Sequence, residues 1–373
     1  MTTRHTDYVV VGAGLLGLAA GRALALRGHE VTVLEQVSVG HPGSGSKGSC
    51  RIFRLGYDDP VYVRAARRSR DLWHSLEPCC GRILQPAPQL TIGAGLAAVR
   101  EAMTLAGAPS ELLPAAEAAA RFPGLRLDGP ALLEPESAVT AADTALAALA
   151  AGVPEIRTGV RVSALADDGR RVTLQTSDGP LAARVAVICA GPETAGLLGW
   201  TAGSAPTLEQ VAYLAPARAP GPDMPILLGH EDRAPYGLPV PGSALYKTGL
   251  HHSGTPVRPG ASLDQSADAE LTGQLEEMAR RYLPGFGPRA VQVERCVYDN
   301  TPDEDFILDR IGNVVVGCGT SGHGFKFGPL LGEWLAALAT GDDGLAEDEE
   351  LAVLATRWRL SRLSRPAAGS APG

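Results

Sequence analysis

The sequence predicts a two-part α/β fold, and two observations lead to that prediction. The chain has 373 residues, 45% of them hydrophobic, so it is long enough for two domains or one composite fold. Three short apolar segments, at 7–11, 184–190 and 313–317, are typical of strands buried on both faces, and a glycine-rich turn follows each. We therefore expect the three strands to share one sheet, while the segments between them form a second domain.

The first strand begins a strand–turn–helix–strand unit. The strand at 7–11 runs into a turn that contains Gly12, Gly14 and Gly17, and a helix of small residues at 15–27 follows. Gly12 allows the sharp turn, Gly14 lets a pyrophosphate approach the backbone, and Gly17 lets the helix pack close to the strand. The free N–H groups and the dipole at the helix N-terminus attract an anion. The unit therefore predicts a Rossmann-type dinucleotide site.

Glu35 completes this site at the end of the second strand, which is predicted at 30–35. Its carboxylate is placed to accept hydrogen bonds from the ribose hydroxyls of adenosine. Strand, turn, helix, strand and acid in this order argue against an incidental glycine-rich turn. The fingerprint by itself leaves FAD and NAD open. Its position at the extreme N-terminus favours FAD, because the rest of the chain can then supply the flavin-ring and substrate parts.

The later elements follow from shorter patterns. A loop rich in glycine and serine spans 39–49, and short strands with an alanine-rich helix are expected between about 80 and 140. Apolar patterns predict further helices and strands, the helices at 61–76, 139–151, 268–282 and 325–340 and the strands at 210–214 and 244–249.

These elements predict a Rossmann-type FAD-binding domain that is discontinuous in sequence, and a substrate domain built on a mixed or antiparallel sheet with helices. The expected ranges are 1–80, 140–205 and 290–363 for the FAD-binding domain and 81–139 and 206–289 for the substrate domain. The tail at 364–373 is rich in alanine, proline, glycine and serine and is predicted to be disordered.

Charge and cysteine content exclude several classes of protein. The net charge of −8 argues against nucleic acid or an anionic membrane surface as a partner. No apolar run reaches the roughly 20 residues that span a bilayer, and the polar start of the chain lacks a leader pattern, so a cytoplasmic protein is expected. The six cysteines do not resemble a disulfide framework, and without a C-x-x-C pair we expect no metal.

Five further segments sharpen the functional prediction, namely 48–54 (GSCRIFR), 236–239 (YGLP) leading to Lys247 and His251, 296–298 (CVY), 301–303 (TPD) and 321–326 (SGHGFK). Together they closely resemble the monomeric sarcosine oxidase and N-methyltryptophan oxidase family of the D-amino-acid-oxidase-like fold, to about residue 345. The resemblance implies a monomeric FAD enzyme that oxidises the C–N bond of a secondary or cyclic amine carrying a carboxylate, with molecular oxygen as acceptor and hydrogen peroxide as product.

The resemblance also assigns residues to the cofactor. Cys296 matches the cysteine that carries FAD through an 8α-type thioether bond, and the neighbouring Arg295 could help to ionise it. By position alone, a buried structural cysteine is the commoner interpretation. Arg51 matches an arginine on the flavin side of the site. The turns after the middle and last apolar strands are expected on the cofactor as well, through Gly191, Gly322, His323 and Gly324.

The substrate side rests on three cations and an aromatic wall. Arg54 and Lys326 match the pair that binds the substrate carboxylate, since an arginine fork suits a carboxylate and a lysine adds a point charge. Lys247 matches the lysine that activates oxygen, where a cation stabilises developing superoxide. Tyr236 and His251 match residues that line the substrate cavity, although His252 follows directly and either imidazole could face the site. The non-functional interpretations are a surface ion pair for Arg54, a solvated lysine for Lys247 and a core histidine for His251.

Departures from the family pattern leave the substrate open. Ser46 and Lys47 stand where the family often has two histidines, Cys50 replaces a more usual threonine, and 78–112 is not recognisably similar. Four alternatives therefore remain: a flavin-dependent dehydrogenase, a tailoring oxidase for a larger amine in specialised metabolite biosynthesis, a flavin monooxygenase, and a non-catalytic nucleotide sensor or assembly subunit.

Overall fold

The structure is a computed structural model that describes residues 4–200, 204–218, 223–230, 234–258, 263–342 and 349–364. Within these ranges the strands are β1 (Arg4–Val11), β2 (Val31–Glu35), β3 (Cys50–Phe53), β4 (Leu84–Pro86), β5 (Gln89–Ile92), β6 (Glu111–Leu113), β7 (Ala131–Glu134), β8 (Ala138–Ala141), β9 (Glu155–Thr158), β10 (Val162–Asp167), β11 (Val172–Thr176), β12 (Gly179–Ile188), β13 (Thr207–Pro216), β14 (Ile226–Gly229), β15 (Pro235–Pro239), β16 (Tyr246–Leu250), β17 (Thr255–Pro256), β18 (Phe286–Tyr298), β19 (Ile307–Ile311) and β20 (Val314–Cys318).

The helices in the same ranges are α1 (Leu15–Leu26), α2 (Pro60–Cys80), α3 (Leu96–Leu105), α4 (Ala115–Arg121), α5 (Ala142–Ala151), α6 (Thr194–Leu198), α7 (Ala269–Tyr282), α8 (Gly328–Thr340) and α9 (Ala352–Arg357). Short 3₁₀ turns occur at Gly191–Glu193, Gly324–Phe327 and Leu360–Ser364. None of the described helices is both long and apolar enough to cross a membrane.

The first sheet has eight strands and contains the three apolar strands that the sequence predicts to lie together. Strand β12 is parallel to β1 along most of its length and to β20 near its end, and β1 is parallel to β2. Parallel strands place their carboxyl ends at one edge of a sheet, which is where such folds bind nucleotides. The turns after β1, β12 and β20 therefore meet at a common edge.

The second sheet has nine strands, and it is mixed because β14 runs parallel to β5 while its other strand pairs are antiparallel. Near one end of this sheet lies β13, which pairs with β16 on one side and with β18 on the other. A small third sheet joins β3, β8 and β4. The structure thus confirms the α/β class with a Rossmann-type sheet and a mixed second sheet.

Helices α1 and α8 lie against each other over the first sheet. Small residues make this close contact possible, because a Cβ added at Gly332 would lie 2.5 Å from the backbone of Ala19. Around the pair, a large apolar cluster includes Leu18, Trp73 and Trp358. The packing fixes the N-terminus of α1 relative to the turn that precedes α8.

Two predicted elements differ from the structure. The helix predicted at 139–151 begins only at Ala142, because Ala138–Ala141 pairs as a strand with both β3 and β4. The last long helix begins at Gly328 rather than Phe325, since residues 324–327 form a 3₁₀ turn. Lys326 therefore precedes α8 instead of lying in its first turn.

The domain ranges stay a prediction, and β18 crosses the boundary proposed at 290 while belonging wholly to the second sheet. The disorder predicted for 364–373 falls outside the described residues, apart from Ser364, the last residue of a 3₁₀ turn.

Candidate active site

A single large cavity of about 970 Å³ runs from the glycine turn of the first sheet to the face of the second sheet. This volume lies at the upper end of the usual range for ligand sites. The cavity brings together nearly all of the residues selected from the sequence, namely Gly12, Gly14, Glu35, Arg51, Arg54, Gly191, Tyr236, Lys247, His251, Cys296, Gly322, His323, Gly324 and Lys326. Gly17 does not line the cavity and instead packs behind its glycine turn.

The turn after β1 needs glycine at two positions. Gly12 has a φ of +99°, and a Cβ there would lie 2.4 Å from the carbonyl oxygen of Cys189. A Cβ at Gly17 would lie 1.8 Å from the carbonyl oxygen of Gly12, so α1 could not approach the turn with any larger residue. This close approach leaves the N-terminus of α1 open toward the cavity, as a bound pyrophosphate requires.

The carboxylate of Glu35 is fixed beside this turn. Its Oε2 accepts a hydrogen bond from the backbone N–H of Ala13, and its Oε1 accepts one from Val37, both at 2.9 Å. Two carboxylate oxygens can accept about four hydrogen bonds, so acceptor capacity remains for ribose hydroxyls. Ser46 lies at the same turn, where its hydroxyl accepts from the N–H of Leu15 at 2.9 Å and so occupies one N–H of the helix N-terminus. The set fits the adenosine and pyrophosphate parts of a dinucleotide.

The opposite end of the cavity holds two cations around one tyrosine. The guanidinium carbon of Arg54 lies 3.8 Å from the centre of the Tyr57 ring. Lys326 Nζ donates hydrogen bonds to the Tyr57 hydroxyl at 3.0 Å and to the His323 carbonyl at 2.6 Å. Arg54 Nη1 is buried and has no hydrogen-bond partner among the described residues. We call Arg54, Tyr57, His323 and Lys326 the clamp.

No described carboxylate forms an ion pair with either basic residue of the clamp. Lys326 is only 4% exposed and makes no ion pair with any described residue. Burial, followed by the charge of Arg54, lowers the pKa of Lys326 well below its usual value. Burial and the charge of Lys326 likewise lower the pKa of His323. A carboxylate entering the cavity would supply the missing charge and bond to the free nitrogen of Arg54.

The hydrogen-bond partners of the clamp determine which of its atoms donate and which accept. His323 Nε2 lies 2.9 Å from the carbonyl oxygen of Glu304, which can only accept, so this nitrogen is the donor. In the neutral imidazole, Nδ1 is then the acceptor, and it lies 3.1 Å from the Tyr57 hydroxyl. The hydroxyl of Tyr57 therefore donates to His323 and accepts from Lys326.

One wall of the cavity consists of neutral polar rings. The hydroxyls of Tyr236 and Tyr298 are hydrogen-bonded to each other, and burial raises the pKa of both. Burial, with a smaller effect of His252, lowers the pKa of His251 to about 3. These rings offer hydrogen bonds to a substrate without adding charge.

The structure distinguishes the two neighbouring histidines. His251 lines the cavity, whereas His252 stacks on it with ring centres 3.9 Å apart and directs Nδ1 to Glu304 Oε1 at 3.3 Å. The potential ligand atoms of His251, His252 and Glu304 lie within 4.8 Å of one another, the one such group among the described residues.

A third set of residues lies on the second sheet. Lys247 on β16 and Cys296 on β18 lie on the two strands that flank β13, and both line the cavity. Lys247 is 5% exposed and donates to the carbonyl oxygen of Cys50 at 3.2 Å. Burial, together with Arg51, lowers the pKa of Lys247. A buried cation thus lies in the cavity apart from the clamp.

The proposed role of Arg295 beside Cys296 is wrong. Successive side chains of a strand point to opposite faces, and Arg295 donates to the carbonyl oxygens of Ser266 and Leu208 instead. Burial raises the pKa of Cys296, and the charges that oppose this effect are mainly those of Arg51 and Lys247.

Sequence reasoning missed two residues of the site. Tyr57 lies between both cations of the clamp, and the only available signal was an aromatic residue three positions after Arg54. Glu134 is 1% exposed and its Oε2 accepts from the backbone N–H of Gly56, which secures the loop that carries Arg54 and Tyr57. No local sequence pattern links Glu134 to this loop.

Comparisons with known proteins agree with this geometry. The family described as FAD dependent oxidoreductase (DAO) matches residues 7–338. Peroxisomal sarcosine oxidase of Mus musculus is 32% identical over 90% of this chain and 93% of its own length. N-methyl-L-tryptophan oxidase of Yersinia pestis is 28% identical over 89% of this chain and 94% of its own length.

A solved structure gives the same result. NikD, described as an unusual amino acid oxidase essential for nikkomycin biosynthesis, superposes in its open form with a TM-score of 0.83 at 26% identity. The superposition covers 94% of this chain and 97% of the NikD chain. The likeness therefore extends over both sheets and the cavity between them.

Proposed function

The chain belongs to the DAO family of FAD-dependent oxidoreductases, and we propose that it oxidises the C–N bond of a secondary or cyclic amino acid. The substrate class is an N-methyl amino acid or an imino acid of the proline or pipecolate type. The products are an imine and, with oxygen as acceptor, hydrogen peroxide. The substrates named for the sarcosine and N-methyl-L-tryptophan oxidases fall in the same class.

The observation that carries this proposal is the uncompensated charge of the clamp. A buried guanidinium nitrogen without a partner and a buried lysine without an ion pair are costly unless a ligand supplies an anion. A substrate carboxylate does so, and it also fixes the orientation of the substrate relative to the cofactor. Arg54 and Lys326 are therefore assigned to carboxylate binding.

The cofactor lies along the same cavity in this proposal. The turn at Gly12 and Gly14 and the carboxylate of Glu35 hold the adenosine and pyrophosphate parts of FAD. The flavin supplies the acceptor for the two electrons and the hydrogen that leave the substrate carbon. Tyr236, His251 and Tyr298 border the substrate, and their neutrality favours an amine that binds without its extra proton.

We assign Cys296 to a thioether bond with the 8α carbon of the flavin. The bond would form with loss of one proton from the thiol and one from the methyl group, and the flavin would accept the two electrons and pass them to oxygen. Arg51 and Lys247 favour the thiolate that this reaction needs. Protein precipitated with acid should stay yellow, whereas Cys296→Ala should release its flavin into the supernatant.

A larger amine is a second candidate substrate. The chain resembles NikD over nearly its full length, and the cavity is about 970 Å³. A tailoring oxidase for a specialised metabolite would use the same clamp with a more extended substrate. Comparing small and bulky N-alkyl or cyclic amino acids in one assay distinguishes the two candidates by kcat/KM.

The test of the proposed function is anaerobic reduction of the purified holoenzyme. Sarcosine, N-methyl-L-tryptophan, proline, pipecolate and its cyclic imine should be added in turn while the visible flavin absorbance is followed. At least one should bleach the flavin, and air should then restore it with formation of hydrogen peroxide. A flavin that no member of this panel reduces would refute the proposal, and reduction without peroxide formation in air would indicate a dehydrogenase.

A further inference from the structure

An amino acid arrives at neutral pH as a zwitterion, yet only its neutral amine can give up a hydride. We propose that Lys326 Nζ accepts the proton that the substrate amine loses on binding. This inference rests on the proposed function. It concerns the protonation state of Lys326, whose role in binding the carboxylate is proposed above.

The first support is the number of hydrogen bonds at Lys326 Nζ. A neutral amine has two N–H donors, and the structure gives this nitrogen two acceptors, the Tyr57 hydroxyl and the His323 carbonyl. Tyr57 does not donate back to it, since its own proton points to His323 Nδ1. In the neutral state both donors are satisfied, and the remaining lone pair is available to a proton.

The second support is the set of charges around Lys326. The side chains of Arg54 and Lys326 both lie over the Tyr57 ring. The nearby imidazoles of His323 and His251 are neutral. On the side of α2, Ser69 and Trp73 donate to the backbone carbonyl of Lys326 and not to its side chain.

No described carboxylate forms an ion pair with Lys326, and the carboxylate of Glu304 faces His252. A second positive charge is therefore unfavourable beside Arg54 while the cavity lacks an anion, and it becomes favourable once a carboxylate enters.

The proton balance follows from these charges. The zwitterion brings one negative and one positive charge, the amine N–H bond breaks, and a new N–H bond forms at Lys326 Nζ. The carboxylate then lies between two cations, and the amine nitrogen keeps its lone pair. With FAD bound, the adjacent carbon would then be able to give up a hydride, and the substrate would become an iminium. When the product carboxylate departs, Lys326 returns its proton to solvent.

His251 is the competing acceptor in the same cavity. Burial, followed by smaller effects of its charged neighbours, lowers its pKa to about 3, so the neutral ring is a poor base for an amine proton. Tyr57 is also unsuitable, because burial raises its pKa to about 12 and its hydroxyl already holds a proton. Lys326 is thus the group in the clamp that changes its proton affinity when an anion binds.

The test uses the holoenzyme and a ligand that has a carboxylate but no amine proton to give. Tetrahydrofuran-2-carboxylate, in which an ether oxygen replaces the amine of proline, should be titrated calorimetrically from about pH 6 to about pH 10. Repeating each titration in buffers of different ionisation enthalpy gives the number of protons taken up. The perturbation of the flavin spectrum reports binding independently.

The inference expects uptake of about one proton on binding in part of this range, and an affinity that falls about tenfold per pH unit there. Lys326→Arg, which carries its charge permanently, should bind the acid with almost no uptake. His251→Asn should keep the uptake of the original enzyme. Because Lys326→Arg could fold poorly, the pH dependence of the dissociation constant in the unmodified enzyme provides a second measurement.

Binding without proton uptake across the whole range, or a dissociation constant independent of pH, would overturn the inference and leave the carboxylate clamp intact. Uptake that persists in Lys326→Arg would overturn it as well. An acid that fails to bind at any pH would contradict the carboxylate clamp itself, and both proposals would then fall.

Discussion

The two ends of the cavity differ in how far the protein satisfies its own polar and charged groups. At the nucleotide end, close backbone packing around Gly12 and Gly17 and the bonded carboxylate of Glu35 make a rigid receptor that is largely complete. At the clamp end, Lys326 and the Nη1 atom of Arg54 are buried, and neither side chain forms an ion pair with a described residue. Under our proposal, the difference separates a cofactor site from a site that each substrate molecule completes.

The strongest test of this contrast removes one cation of the clamp. Arg54→Met should lower kcat/KM by about 10²- to 10³-fold, chiefly through KM, because a buried charge pair with the substrate is worth about 2–5 kcal/mol. Flavin content should not change, since the nucleotide end is untouched. Steady-state kinetics with the best substrate provide the measurement.

Arg121→Met is the matched control, because that arginine pairs with Glu111 and Glu117 on the surface. Its kcat/KM should stay within about twofold of the original enzyme. If Arg54→Met behaved in the same way, the carboxylate would have to bind elsewhere in the cavity.

The second test separates the clamp from the buried cation on the second sheet. Lys247→Met should slow reoxidation of the reduced enzyme by oxygen about 10²- to 10³-fold, the usual effect of removing a preorganised charge from a developing anion. Anaerobic reduction by substrate should change far less. Stopped-flow measurement of both half-reactions shows which of the two depends on Lys247. Equal slowing of the two would assign Lys247 to substrate binding instead.

The third test addresses the nucleotide end. Gly17→Ala forces a Cβ toward the carbonyl oxygen of Gly12, so we expect a loss of about 1–3 kcal/mol in stability and a lower flavin content. Gly273→Ala is the control, because a Cβ in the middle of α7 would meet no atom within 4 Å. That variant should gain about 0.4–1 kcal/mol. Urea unfolding and absorbance spectra measure both effects, and equal stability of the two variants would show that the close approach is dispensable.

The last test concerns His251 on the neutral wall, where the effect grows gradually as pH falls. Its pKa falls from 6.5 to about 3 on folding, because burial disfavours the charged ring. The unfolded chain therefore binds the extra proton first, and stability falls as pH is lowered from about 6.5 toward 3. In His251→Asn this slope should be shallower by up to about 1.4 kcal/mol per pH unit. An unchanged slope in urea titrations at several pH values would mean that the ring is not buried neutral.

Sequence reasoning was most successful where function depends on local order. The glycine spacing, Glu35 and the apolar strands lie within short segments, and the structure brings them together as the pattern predicts. It was less successful where tertiary pairing decides. Residues 138–141 are alanine-rich with two β-branched residues, and they form a strand because β3 and β4 lie on either side of them.

The same limit explains what was missed in the site. Tyr57 is distant in sequence from Lys326, and Glu134 is distant from the loop that carries Tyr57, so only folding brings these residues together. The error at Arg295 arose from adjacency in sequence, which places neighbouring side chains of a strand on opposite faces.

The central claim is that the clamp requires a substrate carboxylate. The most direct measurement compares anaerobic flavin reduction by an amino acid and by its carboxamide, such as sarcosine with sarcosinamide and proline with prolinamide. For whichever acid reduces the enzyme, the account predicts that the amide does so at least about 10²-fold more slowly at equal concentration. An amide that bleaches the flavin as fast as its acid would contradict it.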